Sequence, residues 1–428
     1  MKIEDLRASV ARVDITPPIG SPMEGYGART EVSQGVHDSL FAHLLLLEAG
    51  SERAALITLD LLGVRLSITD RIRASIGKAI NLSPSGVMLA CSHTHSGPAG
   101  FLPDVPGLRT YADPEFQRAV ERKIIQAAEQ AELHLEPASL GVACGHVRGV
   151  GSNRNDPEGG PFDDEVIVLR LDNQNGEPLA VVMNFGCHPT VMGHENLLLS
   201  ADFPGVTADT LRMIYPETAF LFTNGSSGDV STRFTRREQT FSEMERLGRI
   251  LAGEVLKVMH EIETQRNVLI AHRLEEMNLP LRQFPDVKKM QTKIQLLAEE
   301  LEKLKSSGAS HGDVRRVFTQ WQGAVGQAEM AKALGGKDEI RTQLHLLKID
   351  GLSLIGLPGE PFTRTVLEIK AKSPDDHTAV VSYANDEVGY FPDIEAFESE
   401  TYEALISPYR KDVAAMITER SLALLKEA

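Results

Sequence analysis

The chain has 428 residues, 42% of them hydrophobic, with 44 basic against 60 acidic side chains and a formal charge of −16. That length allows two or three domains, or one large domain with insertions, and the apolar content is enough to bury a sizeable core. A net field of this sign disfavours nucleic acid and anionic membrane surfaces as partners. The N-terminal Met1-Lys2-Ile3-Glu4-Asp5-Leu6-Arg7 lacks the basic-then-apolar pattern of a secretory signal. No apolar run reaches the roughly 18 residues of a transmembrane segment, so a cytoplasmic protein is expected. Cys91, Cys144 and Cys187 are odd in number and scattered, which fits a reducing compartment and small buried hydrophobes rather than a disulfide framework.

Residues 8–30 alternate apolar and polar until Pro17-Pro18, which predicts a strand running into a loop with Gly20, Gly25 and Gly27. Phe41 to Glu48 and Ala54 to Leu62 are apolar runs separated by Gly50-Ser51-Glu52, the pattern of a hairpin. Amphipathic helices are predicted over 66–80 and 114–133. Between them, Val87 to Ala90 reads as a buried strand. It delivers Ser92-His93-Thr94-His95-Ser96 to its C-terminal end before Gly97-Pro98 stops it. Strands follow over 139–144, 165–171 and 179–185, the last ending in Cys187-His188-Pro189-Thr190. Next come a helix over 203–215, a strand over 218–223 leading to Asn224-Gly225-Ser226-Ser227-Gly228-Asp229, and a long helix over 239–263. The loose alternation of strand and helix predicts an α/β (α+β) sandwich, with mixed β-sheets flanked by helices.

Residues 284–335 change character. Val287, Met290, Ile294, Leu297, Leu301 and Leu304 recur at steps of three and four, with Lys, Glu and Gln filling the positions between. Ser306-Ser307-Gly308 breaks the pattern, and a second helix follows with Val314, Val317, Phe318 and Trp321. This predicts an antiparallel helical hairpin inserted into one catalytic domain made of 1–283 and 336–428. Such a hairpin packs on its own domain or serves, through its heptad seam, as a homodimer contact; both readings stand. From residue 342 the α/β pattern resumes, with strands over 343–349 and 353–357, Pro358-Gly359-Glu360-Pro361, and a helix to 371. A strand over 378–382 and a helix over 411–427 complete the chain.

In a strand alternate residues share a face, so His93 and His95 are expected to project together. Such a pair binds a metal, or one member ligates while the other moves protons, or both belong to a hydrogen-bonded polar turn. Five strand-end segments carry ligand or acid–base side chains: His93/His95, His188, Asn224 to Asp229, Glu360 and Tyr390. A hydrolytic zinc site needs about three protein ligands and an open position for water, whose pKa falls towards about 7. His93, His188 and Glu360 supply suitable types from three separate strand ends.

Read together, the motifs resemble the catalytic domain of the neutral/alkaline, non-lysosomal ceramidases, zinc amidases that cleave ceramide into sphingosine and fatty acid. The matching segments are Asp14-Ile15-Thr16-Pro17, Gly25-Tyr26-Gly27, Gly35-Val36-His37, Ser92-His93-Thr94-His95-Ser96-Gly97-Pro98 and Ser152-Asn153-Arg154. His188-Pro189-Thr190, Gly228-Asp229-Val230-Ser231, Gly359-Glu360-Pro361-Phe362, and Tyr390 with Tyr402 continue them in the family's order. The resemblance implies zinc held by His93, His188, Glu360 and Tyr390. In the family a second tyrosine follows the ligand by the interval that separates Tyr402 from Tyr390, which favours Tyr390 over Tyr383. His95 is implied as the acid–base group that protonates the leaving amine, and Arg154 and Tyr402 as the groups facing the substrate carbonyl and polar head. His37 is expected to be structural, and Gly27 either a turn residue or one that admits substrate.

The chain also departs from the family. Gly225 stands where the family has a serine and Ser226 is one place off, so the turn is expected to present backbone N–H groups instead. The hairpin matches no family motif, and neither the family's C-terminal immunoglobulin-like domain nor its secretion signal is expected here. The expected function is zinc-dependent hydrolysis of a small-molecule or lipid N-acyl amide, ceramide or another, by metal-activated water. The alternatives are a zinc esterase or lactonase, and a catalytically silent binding or scaffold protein.

Overall fold

Leu44 to Leu47 are four consecutive leucines in the strand Phe41–Ala49, and none is more than 1% exposed. A strand apolar on both faces must be covered on both. Leu44 and Leu46 pack beneath helices, while Leu45 and Leu47 face a second sheet. The structure, a computed structural model, describes residues 4–102 and 113–427; Met1 to Ile3 of the N-terminal stretch read above lie outside them.

The larger sheet has nine strands. Its order is Ala219–Asn224, Pro178–Phe185, Glu165–Asn173, Glu136–His146, Glu4–Asp14, Phe41–Ala49, Glu52–Leu59, Val87–Cys91, with Asn267–Val268 beside Glu4–Asp14. Its outermost pairs at each end are parallel and the pairs between are antiparallel. The smaller sheet runs Ile270–Pro280, Glu339–Ile349, Leu352–Gly356, His377–Val381, the last pair parallel.

The first helices are α1 (Leu66–Ile80), α2 (Pro114–Leu133), α3 (Asp202–Arg212), α4 (Phe241–Met259), α5 (Val287–Ser306) and α6 (His311–Leu334). The remainder are α7 (Thr363–Lys372), α8 (Ile394–Glu398), α9 (Tyr402–Ile406) and α10 (Val413–Lys426). Ile68, Ile72 and Ile76 of α1 and Val120 and Ile124 of α2 cover one half of the larger sheet's outer face. Phe203 and Leu211 of α3 and Met244, Leu247 and Leu251 of α4 cover the other half. The two sheets pack face to face through residues such as Leu56, Val182 and Leu221 against Leu347, Leu354 and Val381. Beyond the smaller sheet, Val366 and Ile369 of α7 and Ile417 and Leu424 of α10 close the last layer. The expected α/β sandwich of mixed sheets and flanking helices is the fold that forms.

One long strand has no counterpart in the sequence reading. Ile270–Pro280 is an edge strand carrying Arg273, Glu275 and Glu276, and its alternation is too diluted by charge to stand out. It pairs with Glu339–Ile349 along its whole length, from Ile270↔Ile349 to Pro280↔Glu339. The helical hairpin α5–α6 therefore emerges between two adjacent strands. Its seam is filled from within, Met290, Ile294 and Leu297 meeting Ala324 and Ala328, and α6 also packs on α9. All three cysteines are free. Among the described residues no helix is long and apolar enough to cross a membrane.

Candidate metal centre

The parallel strands of both sheets send their carboxyl ends to one rim, where open α/β sheets place ligand-binding loops. His93 and His95 follow Val87–Cys91, His188 follows Pro178–Phe185, and the 224–229 turn follows Ala219–Asn224. Glu360 follows Leu352–Gly356, and Tyr383 follows His377–Val381.

The strand before the histidine pair ends at Cys91, so His93 and His95 lie in the loop beyond it, with His93 in the left-handed region at φ 68°. Strand alternation therefore does not aim them, contrary to the expectation from spacing. The loop's own fold brings the rings to 4.9 Å between centroids. Asn224 helps to set that fold. Its Nδ2 donates to the carbonyls of Ser92 and Cys187, both at 3.1 Å, and its Oδ1 accepts from the Cys187 N–H at 3.1 Å. One buried amide thus ties the His93 loop to the His188 loop.

Two of the imidazoles have a fixed proton. His93 Nδ1 donates to Leu62 O at 2.6 Å, and His188 Nδ1 to the carbonyls of Ser227 and, at 3.2 Å, Val230. That leaves each Nε2 as a lone pair facing inward, the tautomer a metal ligand requires. Burial depresses both rings to a pKa of about 3, so they stay neutral. Glu360 Oε2 lies 3.0 Å from His188 Nε2 and 3.9 Å from His93 Nε2. Metal–ligand bonds of about 2.0–2.1 Å in a tetrahedron put ligand atoms about 3.3 Å apart, which these spacings bracket. The ligand atoms of His93, His95 and His188 lie within 4.8 Å of one another, and His188 Nε2 and both His95 ring nitrogens are buried without a hydrogen-bond partner. The His188 Nε2 lone pair, left unsatisfied beside the Glu360 carboxylate, fits a divalent metal of the zinc class.

Burial pushes Glu360 up, against the pull of His93 and Arg154. Tyr390 sits opposite Glu360 in a short parallel bridge, and its hydroxyl accepts from Arg154 Nη2 at 3.2 Å. Tyr383 also lies at the centre. Its ring stacks on His93 at 3.8 Å, and its hydroxyl lies 2.6 Å from Ser227 Oγ and 3.4 Å from Glu360 Oε2. The spacing argument favours Tyr390, yet the structure brings both tyrosines to the centre, Tyr383 in a left-handed conformation at φ 56° that marks a constrained site. Arg154 Nη2 also donates to Gly228 O at 2.8 Å, and Nε lies 2.7 Å from Glu403 Oε1. Burial alone would lower this guanidinium's pKa, but Tyr390, Glu403 and Glu360 hold it charged. Tyr402 opens α9 nearby, its phenol pushed up to about 12 by burial and eased by Arg154.

The N–H groups of Gly225, Gly228 and Val230 are spent on the carbonyls of Phe185, Pro361 and Ser227, so this turn holds His188 rather than offering those amides to an anion. Asp229 accepts from Asn153 Nδ2 at 2.9 Å and from the Thr363 N–H and hydroxyl at 2.8 Å each, a structural role. His37 stacks on Phe241 at 3.8 Å and pairs with Asp38, as a structural residue does. A side chain at Gly27 would meet open space, whereas a Cβ at Gly25, φ 103°, would lie 2.7 Å from the His95 ring. Gly25 is therefore the glycine that shapes the site. Glu403 carried no signal in the sequence, being one acid among several in a polar segment.

The family model for neutral/alkaline non-lysosomal ceramidase, N-terminal, matches residues 7–235. The chain belongs to this family. His93, His95, Arg154 and His188 lie within the match; Glu360, Tyr390 and Tyr402 lie beyond it and join them only through the fold. Neutral ceramidase of Pseudomonas aeruginosa is 27% identical over 219 residues, 46% of this chain and 32% of that protein. Neutral ceramidase B of Dictyostelium discoideum is 27% identical over 202 residues, 42% of this chain and 28% of that protein. Neutral ceramidase 2 of Arabidopsis thaliana is 28% identical over 252 residues, 52% and 31% respectively. The matched segments thus span about a third of these ceramidases. The crystal structure of the P. aeruginosa enzyme aligns with 99% of this chain and 75% of its own, at a TM-score of 0.77 and 18% identity, a likeness of fold.

Proposed function

We propose that this ceramidase-family chain is a zinc-dependent hydrolase of an N-acyl amide, with ceramide, the substrate its relatives' names suggest, as the first candidate. The observation that carries the reading is the convergence of two carbonyl-locked imidazoles on the Glu360 carboxylate, at 3.0 and 3.9 Å. His93, His188, Glu360 and Tyr390 would hold the metal. Zinc, when bound, supplies Lewis acidity to a carbonyl and lowers the pKa of water in the site.

The chain's own residues supply the rest. Arg154, charged and partly buried, stabilises negative charge developing on the carbonyl oxygen, where a preorganised cation in a low-dielectric site is worth most. The Tyr402 phenol, with its pKa near 12, keeps its proton and donates a hydrogen bond to the same oxygen or to the polar head. A metal-bound histidine normally donates its other N–H to an acceptor. Neither ring nitrogen of His95 has such a partner, which supports its role as the proton carrier to the departing amine.

Metal analysis of the purified protein should find about one zinc per chain. A panel of N-acyl amides, N-acylsphingosine among them, with matched esters then reads out the reaction. Amide turnover supports the proposal. Turnover of esters alone makes the protein an esterase or lactonase, and zinc binding with no turnover makes it a binding protein.

A further inference from the structure

Glu403 is 2% exposed in the first turn of α9. Its Oε1 lies 2.7 Å from Arg154 Nε, and its Oε2 accepts from Asn155 Nδ2 at 3.2 Å. Arg154 Nη2 is taken by Gly228 O and the Tyr390 hydroxyl. Among the described residues Nη1 makes no hydrogen bond. The guanidinium is thus hydrogen-bonded through Nη2 and ion-paired with Glu403 beside Nε, without a hydrogen bond at Nε, leaving Nη1 for a substrate.

The helix that carries Glu403 has five residues, too short to hold its own shape. It is held from behind. Gln327 Nε2 of α6 donates to Leu405 O at 3.1 Å, and Arg282, just before the hairpin, donates to Leu405 O at 2.8 Å and Ala404 O at 3.2 Å. Close approach depends on Gly323 of α6, where a Cβ would lie 2.7 Å from Leu405. We infer that the inserted hairpin is a buttress for α9, and that Glu403, which it holds in place, is a positioning residue aiming Arg154 at the substrate carbonyl. The inference rests on the hydrolase reading for its substrate.

The test compares Glu403→Gln, Glu403→Asp, Arg154→Ala, Gly323→Ala and the Glu403→Gln/Arg154→Ala double variant on the amide that wild type turns over fastest. Misaiming a reacting group by about 1 Å costs up to roughly 100-fold, so Glu403→Gln should lower kcat by about 10- to 100-fold with little change in KM or zinc content. Glu403→Asp, which keeps the charge, should recover part of the loss. In the Arg154→Ala background Glu403→Gln should cost nothing further, because it acts through that arginine. Gly323→Ala should reproduce a loss of kcat with zinc retained.

Independent, multiplying effects of Glu403→Gln and Arg154→Ala would overturn the inference, as would full activity in folded Gly323→Ala. A crystal structure of Glu403→Gln reads the positioning without turnover: Arg154 released from Gly228 and Tyr390 supports it, and an unmoved Arg154 refutes it. Wild type inert on every amide and ester would defeat the hydrolase reading and leave that crystallographic test decisive for the arginine.

Discussion

His93, His95 and His188 are chemically identical side chains that their hydrogen bonds make different. Two donate Nδ1 to a backbone carbonyl and face inward with a fixed lone pair; the third has neither nitrogen engaged. His93→Ala and His188→Ala are therefore expected to lose zinc. His95→Ala should keep it and lose about 10²- to 10⁴-fold in kcat, the range for an acid–base group. Zinc lost from His95→Ala would make that residue a ligand instead. A second residue-scale test concerns Glu24, 4% exposed, whose carboxyl burial raises from 4.5 to about 8. The folded chain keeps this proton where the unfolded chain has released it, so stability falls as pH rises through the window between those values. Glu24→Gln removes that dependence. Unfolding free energies from urea titrations between about pH 5 and about pH 9 should show the variant gaining on wild type by an amount on the order of a few kcal/mol, whereas parallel profiles would exclude the effect.

At the scale of the element, the site depends on loops that are tied rather than on strands that point. Asn224 links the Ser92 and Cys187 loops through three hydrogen bonds and is fully buried. Asn224→Ala leaves buried backbone groups unpaired, so a loss on the order of 3 kcal/mol in urea unfolding is expected, with weaker zinc affinity. Unchanged affinity would show that the loops hold without it. Gly25 belongs to the same logic. Its φ of 103° and the 2.7 Å approach to His95 leave no place for a methyl group. Gly25→Ala should lower kcat while zinc stays bound, and loss of zinc instead would place its effect on the metal loop.

For the whole molecule, two sheets face each other between helical layers, and the hairpin hangs from one strand connection. Pro280 and Glu339 are paired neighbours, so a two-residue Asn-Gly turn can join them geometrically in place of α5 and α6. The shortened protein keeps the sheet-to-sheet core, which contains no residue of the hairpin. It is expected to fold and bind zinc but to lose most of its turnover as α9 loses its backing. Wild-type turnover in the shortened chain would show that the hairpin serves some other purpose.

The order of elements was largely legible in the sequence because helix and strand periodicity is local: the predicted 66–80 and 114–133 coincide with α1 and α2. The edge strand Ile270–Pro280 escaped because charge diluted its alternation. His93, His188 and Glu360 could be marked as candidates from residue type and strand-end position, and the family motifs joined them. Their shared lone-pair geometry, the closeness of both Tyr383 and Tyr390, and the grip of Glu403 on Arg154 came only from tertiary structure. Side-chain direction beyond a strand end is set by loop hydrogen bonds such as those of Asn224, and those partners are far apart in the chain. Local pattern chose the elements and the residue types at their ends; long-range hydrogen bonding and packing decided which of those residues meet.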